Sequence, residues 1–397
     1  MKYPEHSMIN RFLVESLGPA AWPRTRLDPT QWEVLWRAAR DHCISPYLHE
    51  CWIDSGFIAN VPRAVADRFS RATSDNRERN RRLTLALDEL CTALEGANIP
   101  VLVSKGLPVA HAYYGGLGLR VLYDLDLLVK PQDEERARKV AETLGYIPFF
   151  KDHRKQQLLW RPRAYAWDDE HVFDPNRPCM VELHTSPWQR RWHGFHLECE
   201  IQLWEGARTL ACDGVMLRVP REEKLLVHLA VHYACNVLEA NARLMHLLDL
   251  SLLLRRRSGA LDWQLILYEA ERSRARPFCF IALDLASRLA GDCLYPDRAR
   301  DALRSATPRA MVDWVAMRGL EDVASMSIHH RRKSLIYFLH WNMARGLSEK
   351  AAMLSEAVRG PMRDEGGVGP WRSLASRMAQ RFGELARASC ALRGARS

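Results

Sequence analysis

The sequence predicts an α+β fold, in which a mixed sheet with flanking helices lies between helical N-terminal and C-terminal regions. Three observations carry that prediction. Apolar residues recur at helical spacing through residues 1–95 and again after residue 219, short β-rich apolar runs cluster between Ile99 and His184, and Pro and Gly punctuate that middle stretch. The organisation that follows is a helical region over 1–95, an α/β domain over 96–218 and a helical C-terminal domain with a basic tail over 219–397.

Taken in order, Trp32–His42 and Leu83–Leu94 read as amphipathic helices, the second with Leu83, Leu85, Leu87, Leu90 and Leu94 as its buried stripe. The Arg-rich run over 74–82 reads as the exposed first turns of the same helix. Ile99–Val103 is a short, continuous apolar run that ends at Ser104-Lys105-Gly106, as a buried strand does on entering a turn, and a helix follows through Ala112. Tyr123–Val129 reads as a second strand. Pro131 and the acidic residues after it suit the first turn of a helix, where they complement the backbone dipole, and Gly145 is placed to end it. A polar loop over 151–167, a strand over 171–173 and a clearer strand at Met180–His184 complete the middle block. Beyond Pro187 the pattern returns to helices, at Leu225–Val237, Leu244–Arg255, Trp263–Arg272 and Phe278–Leu289. The tail over 371–397 has six Arg and one Glu on near-helical apolar spacing, and reads as a basic amphipathic helix packed on the body.

With 397 residues, 47% hydrophobic and 26% charged, the composition is that of a folded globular protein and excludes collagen-like and low-complexity classes. No run approaches the ~18 apolar residues of a membrane span, and Glu5, Arg11 and Glu15 interrupt the start of the chain, so neither a membrane span nor a signal peptide is expected and a cytoplasmic address follows. The ten cysteines form no C-x-x-C pair, which argues against a zinc ribbon or a redox motif. A net charge of +9 suits a polyanionic partner. Because arginine is spread over the whole chain, specific nucleic-acid binding is the less favoured use of that charge.

The chemistry concentrates on two strands. Asp124 and Asp126 are two apart in an apolar strand, so both point to one face while Leu125 and Leu127 point to the other. Neighbouring carboxylates that lose water repel each other unless a cation neutralises them, and a divalent metal does so economically. Glu182, in the apolar strand Met180–His184, completes a triad, and His184 shares its face as a phosphate contact or as support for the metal ligands. The turn at Lys105 and Gly106 can offer a lysine and backbone N–H groups to phosphates, and Arg120 can neutralise phosphate charge.

The strings V-L-V-S-K-G-L-P (101–108), L-R-V-L-Y-D-L-D-L-L-V (119–129), A-E-T-L-G-Y (141–146) and V-E-L-H (181–184), with helical segments at 203–207, 220–232 and 247–254, resemble a bacterial nucleotidyltransferase family of the DNA-polymerase-β-type nucleotidyltransferase superfamily. That resemblance spans about Leu83 to Leu254. It implies a nucleotidyltransferase-type mixed sheet over 96–218, with Asp124, Asp126 and Glu182 as catalytic carboxylates holding Mg²⁺ or Mn²⁺. It also implies attack of an acceptor oxygen on the α-phosphate of a nucleoside triphosphate, with release of pyrophosphate. Lys105, Gly106, Arg120 and His184 fall on the phosphate side. The Lys-Gly-Leu turn departs from the Gly-Ser or Gly-Gly of many superfamily members.

His228 and His232 share a helix face at i, i+4, half of a zinc geometry, but residue 229 is Leu and no H-E-x-x-H exists. His232 and Asp249 are read as candidates for the acceptor side, Asp249 either pairing with Arg243 or a histidine or acting as a base. Asp168-Asp169-Glu170 reads as an exposed acidic loop. The tryptophans at 160, 167, 188, 192 and 204 read mainly as packing. No nucleophile elbow, Walker lysine loop or dinucleotide-binding glycine pattern is present. Two functions are therefore expected in order. The first is a Mg-dependent transferase moving a nucleoside monophosphate from a nucleoside triphosphate to a hydroxyl or phosphate of an unknown small-molecule, peptide or protein acceptor. The alternative is a catalytically silent nucleotide-binding partner or regulator of a biosynthetic enzyme or peptide.

Overall fold

The computed structural model describes residues 3–18, 26–150, 157–161, 165, 172–188, 191–192, 195–197, 202–292, 294–328, 333–344 and 346–359. Four helices open the chain: α1 (Tyr3–Leu17), α2 (Pro29–Asp41), α3 (Ser45–Asp54) and α4 (Arg63–Gly96). Helix α2 begins where it does because Asp28 caps it, accepting from Gln31 N while the Gln31 side chain accepts from Asp28 N, and Pro29 supplies a preset φ in the first turn. Helix α4 runs for 34 residues, about 50 Å at 1.5 Å per residue.

Then come β1 (Leu102–Val103), α5 (Leu107–Tyr113), β2 (Leu125–Leu128), α6 (Glu134–Thr143), β3 (Ile147–Phe150), β4 (Gln157–Trp160) and β5 (Met180–His184). They form one five-stranded sheet in the order β1-β2-β5-β4-β3. Only β2 and β5 run parallel, with β1, β4 and β3 antiparallel to their neighbours, so the sheet is mixed. Leu125, Leu127, Val181 and Leu183 pack on one face against Leu83, Leu87, Leu90 and Leu94 of α4. Asp126 and Leu128 therefore turn to the opposite face.

Short pairs β6 (Arg191–Trp192) with β7 (Phe195–His196) and β8 (Arg208–Cys212) with β9 (Val215–Val219) follow. The second half is helical: α7 (Glu222–Leu238), α8 (Leu244–Arg257), α9 (Trp263–Arg272), α10 (Arg276–Ala290), α11 (Asp297–Ser305), α12 (Arg309–Met317), α13 (Leu320–Ile328), α14 (Lys333–Met343) and α15 (Gly346–Arg359). Helix α7 is buried on nearly every side, from Leu225 through Ala234, because α8, α9 and α10 enclose it. No helix among the described residues is long and apolar enough to cross a membrane.

The α+β class and most of the expected elements stand, and five local expectations are corrected. Leu85 is exposed, since a residue two from Leu83 and Leu87 on a helix faces away from their stripe. Asn76, Arg79 and Asn80, in the supposedly solvated run, are buried. Residues 172–173 form a turn rather than a strand, whereas β4 lies inside the segment expected as loop. The β8–β9 hairpin interrupts the expected return to helices, and its signal is Asp213-Gly214, both residues at positive φ as a two-residue hairpin turn requires. The basic tail over 371–397 and the acidic cluster over 168–170 lie outside the described residues.

Candidate active site

The parallel pairing of β2 with β5 sets Asp126 beside Glu182 and Leu128 beside His184. Because side chains alternate along each strand, Asp126, Glu182 and His184 project from the same face. One ligand atom from each of these three lies within 4.8 Å of the others. The His184 Nε2 is 3.1 Å from Asp126 Oδ1 and 3.3 Å from Glu182 Oε2. His184 thus stands within the group that could hold a metal ion, rather than behind it. Asp124, just before β2, stands next to this cluster rather than within it, near enough that Asp126, Lys105 and Glu182 all act on its charge.

From the other edge, β1 delivers the turn. Ser104 N donates to Asp126 O at 3.2 Å, which ties the turn to β2. Gly106 follows with φ +74°, and a Cβ there would come within 3.9 Å of Asp126 Oδ2. Glycine is needed for the backbone to take this left-handed bend. The bend carries Lys105 Nζ to 3.0 Å from Asp126 Oδ1.

The electrostatics follow from this crowding. Burial alone would raise Asp126, but the Lys105 and His184 charges hold it far below the ordinary carboxylate range. At Asp124 burial and the Asp126 charge outweigh the opposing Lys105 and His184 charges and push it up to about 7. Burial works against the charged forms of Lys105 and His184, yet the carboxylates outweigh it: Lys105 is raised, and His184 reaches about 8 through its hydrogen bonds to Asp126 and Glu182. Glu182 alone is substantially open to solvent, at 35% of its side chain. The result is an acidic centre with one open flank and with cations already drawn in. Two carboxylates plus an imidazole are a donor set that fits a divalent ion.

A family model for uncharacterised nucleotidyltransferases matches residues 28–291. The chain belongs to that family. No curated protein and no solved structure gives a significant match. The family assignment makes this an enzyme of nucleotidyl transfer, and the matched segment contains the whole acidic centre.

The remaining expected site residues of this nucleotidyltransferase divide. Arg120 does not point at the centre: its Nε and Nη2 donate to Asp249 Oδ1 and Oδ2 at 2.8 and 2.7 Å, and Nη1 to Val121 O at 3.3 Å. Tyr114 adds a hydroxyl to Asp249 Oδ1 at 2.6 Å. Asp249 is paired, but with Arg120 rather than with Arg243 or a histidine, while Arg243 lies over the Tyr123 ring and donates to Cys43 Sγ at 3.4 Å. The physical reason is burial. Arg120 and Asp249 are 5% and 1% exposed, and a buried ion needs a fully hydrogen-bonded partner. His232 packs edge-on against His246 at 4.8 Å, and burial together with the Lys105 charge keeps it neutral. His228 lies parallel to Trp188 at 6.1 Å with neither ring nitrogen bonded among the described residues, and burial lowers it to about 3.

Sequence reading missed the supports of the loop before Asp124. The Asn76 and Asn80 side chains donate to Arg120 O at 3.1 and 2.8 Å, and Arg79 donates to Leu122 O and Tyr123 O at 3.2 and 3.4 Å. Spacing of 3–4 residues puts all three on one face of α4, and that was the available signal. Gly118 lets this loop touch α4, since a Cβ would sit 2.8 Å from Arg77 Cβ.

Proposed function

We propose that this enzyme transfers a nucleoside monophosphate from a nucleoside triphosphate to a hydroxyl or phosphate of an acceptor, using Mg²⁺ or Mn²⁺. The observation that carries this is the convergence of Asp126, Glu182 and His184 within 4.8 Å beside Lys105 and the Gly106 turn. Asp126, Glu182 and His184 would hold the ion, with Asp124 adjacent, and the ion when bound would draw charge from the phosphate oxygens as transfer proceeds. Lys105, 3.0 Å from Asp126, would contact the triphosphate oxygens beside the residues that would hold the ion. The acceptor oxygen bonds to the α-phosphorus, the bond to the β-phosphate oxygen breaks, pyrophosphate leaves and the acceptor proton passes to solvent. Arg120 serves by holding the backbone ahead of Asp124 through Asp249, not by touching phosphate.

The test is transfer of label from each α-labelled nucleoside triphosphate, with Mg²⁺ or Mn²⁺, into host lysate, beside Asp126→Asn. Label on one species that is absent in the variant supports the proposal. One observation bears on a second reading, a nucleotide-binding regulator without turnover: Lys105 Nζ and His184 Nε2, at 3.0 and 3.1 Å from Asp126 Oδ1, supply countercharge to that carboxylate from within the chain. Metal-dependent nucleotide binding with no label from any triphosphate would select that reading.

A further inference from the structure

The C-terminal half of α7 is buried except along one stripe, where His232, Cys235 and Asn236 are half-buried between fully buried neighbours. Spacings of 3 and 4 residues put them on a single helix face. The chain then turns sharply. Asn241 N donates to Asn236 O at 2.8 Å, Ala240 takes φ +51°, and α8 runs back against α7. That return sets the His246 ring edge-on to His232, centroids 4.8 Å apart, and brings in Arg243, half-buried like both histidines. The stripe faces the acidic centre. The Lys105 charge acts on His232 and on His246, the Asp126 charge acts on His232, and the Arg243 charge acts on His246. The order along this opening is therefore Lys105, His232, His246, Arg243.

Arg243 is fixed in place at the far end of that order. Its Nη1 donates to Cys43 Sγ at 3.4 Å, and its guanidinium lies over the Tyr123 ring at 5.2 Å. Cys43 Sγ is in turn 3.0 Å from the Tyr123 hydroxyl. Cys43 makes both contacts from the turn after α2, at φ +60°, a conformation that favours glycine. The strain of a cysteine there is offset by the positions it gives Tyr123 and Arg243. Sulfur is a weak acceptor, and a guanidinium has five N–H groups. Among the described residues no carboxylate pairs with Arg243, and the groups that favour its charge are the Cys43 thiol and the Tyr123 phenol. Burial and the Lys105 charge keep His232 and His246 neutral, so each ring retains a nitrogen lone pair that can accept from a hydroxyl. A half-exposed guanidinium, reached past two neutral imidazoles from an acidic centre, suits a molecule with a hydroxyl at one end and anionic oxygens at the other.

We propose that this opening is the acceptor subsite, and that the acceptor is a small hydroxyl compound whose carboxylate or phosphoryl group pairs with Arg243 while its hydroxyl reaches the acidic centre past His232. Only two imidazoles separate Lys105 from Arg243, a span that a small molecule covers. Its use as an acceptor subsite rests on the transfer function proposed above, whereas the anion site stands on its own geometry. The triphosphate of the donor belongs to the other flank, where Lys105 and the Gly106 turn leave β1. A cationic acceptor would meet Arg243 as a like charge, and a neutral one would leave its donors to water.

The experiment follows phenylglyoxal modification of Arg243 in the full chain by peptide mass spectrometry, at constant ionic strength, with malate, glycerol 3-phosphate or glycerol added. Arg243 of the unliganded chain is expected to react. Saturating malate or glycerol 3-phosphate should slow the reaction about tenfold or more, as charge-assisted hydrogen bonds imply, and glycerol should not. The anion that protects at the lower concentration identifies the group, carboxylate or phosphoryl. Protection should persist in Lys105→Ala and in Asp126→Asn, since neither residue holds the anion. Arg243 that stays unmodified in the unliganded chain, or that reacts at one rate with all three additions, overturns the proposal. So does protection that is lost in Lys105→Ala, or protection by a nucleoside triphosphate and by neither acid, which assigns Arg243 to the donor. Label transfer keeps the two readings apart. Protection with no label from any triphosphate removes the transfer function and leaves the anion site standing, whereas label on an uncharged acceptor, with Arg243→Gln as active as wild type, removes this proposal and leaves the transfer function standing.

Discussion

The Arg120–Asp249 pair offers a test that separates support from chemistry. Asp249→Ala leaves the Arg120 guanidinium, 5% exposed and bonded through two nitrogens at 2.8 and 2.7 Å, without its carboxylate, and leaves the Tyr114 hydroxyl without its 2.6 Å acceptor. Breaking a buried pair by removing one member costs about 3–5 kcal/mol. The Tyr114 hydroxyl keeps Met245 O as an acceptor at 3.3 Å, so the expected cost stays that of the broken ion pair, a large part of the ~5–15 kcal/mol that holds a folded domain. Arg120→Met/Asp249→Leu removes both charges together, and should unfold within about 2 kcal/mol of wild type, since an apolar pair avoids the desolvation cost. Urea unfolding followed by tryptophan fluorescence and far-UV circular dichroism measures both, and label transfer is read on the same samples. If Asp249→Ala costs under about 1 kcal/mol while abolishing transfer, or if the double variant folds like wild type and transfers nothing, the pair acts in the chemistry and the structural account is wrong.

Other expectations are independent of that pair. Asp126→Asn should keep the fold but lose both label transfer and any rise in melting temperature on adding Mn²⁺, and a variant that transfers at the wild-type rate would remove Asp126 from the site. Gly118→Ala should destabilise by about 1–3 kcal/mol, because its Cβ would meet Arg77 Cβ at 2.8 Å, whereas Gly96→Ala, where nothing lies within 4 Å, should not; equal urea midpoints for the two would refute the close approach. Burial holds His228 and His246 neutral in the fold at about 3, so the unfolded chain binds more protons below its own value near 6.5. Their contribution is complete above about pH 6.5 and declines as pH falls toward 3, by up to about 1.4 kcal/mol per pH unit for each ring. His228→Leu should therefore flatten the fall of the urea midpoint between pH 6.5 and 5, and an unchanged slope would show that His228 is not held neutral.

The active-site half of the molecule is legible in the sequence wherever local geometry decides. Period-2 alternation put Asp124 with Asp126 and Glu182 with His184 on shared faces before any strand was paired. The apolar runs around them marked both strands, and Lys105-Gly106 marked the turn. Local patterning reads less well where a residue's partner is remote. Nothing near Arg120 indicates Asp249, 129 positions away, so a guanidinium next to a metal motif invites a phosphate role that its burial assigns elsewhere. Arg79, Asn76 and Asn80 sit in a run of charge that resembles a solvated helix face, and they are buried because the loop over 117–123 docks on them.

What the sequence alone determined is thus the α+β class, the two acid-bearing strands and the order of turn, strand and helix around them, since each follows from backbone periodicity and local turn chemistry. Tertiary structure decided the rest. The sheet order brings β5 next to β2, past β3 and β4, and this parallel register turns Glu182 and His184 toward Asp126. The same packing excludes water from Arg120 and Asp249, which makes their pairing obligatory. It also sets His246 of α8 against His232 of α7. Contacts of this kind join residues tens of positions apart, and their energies come from desolvation and mutual geometry, which exist only once the chain has closed around them.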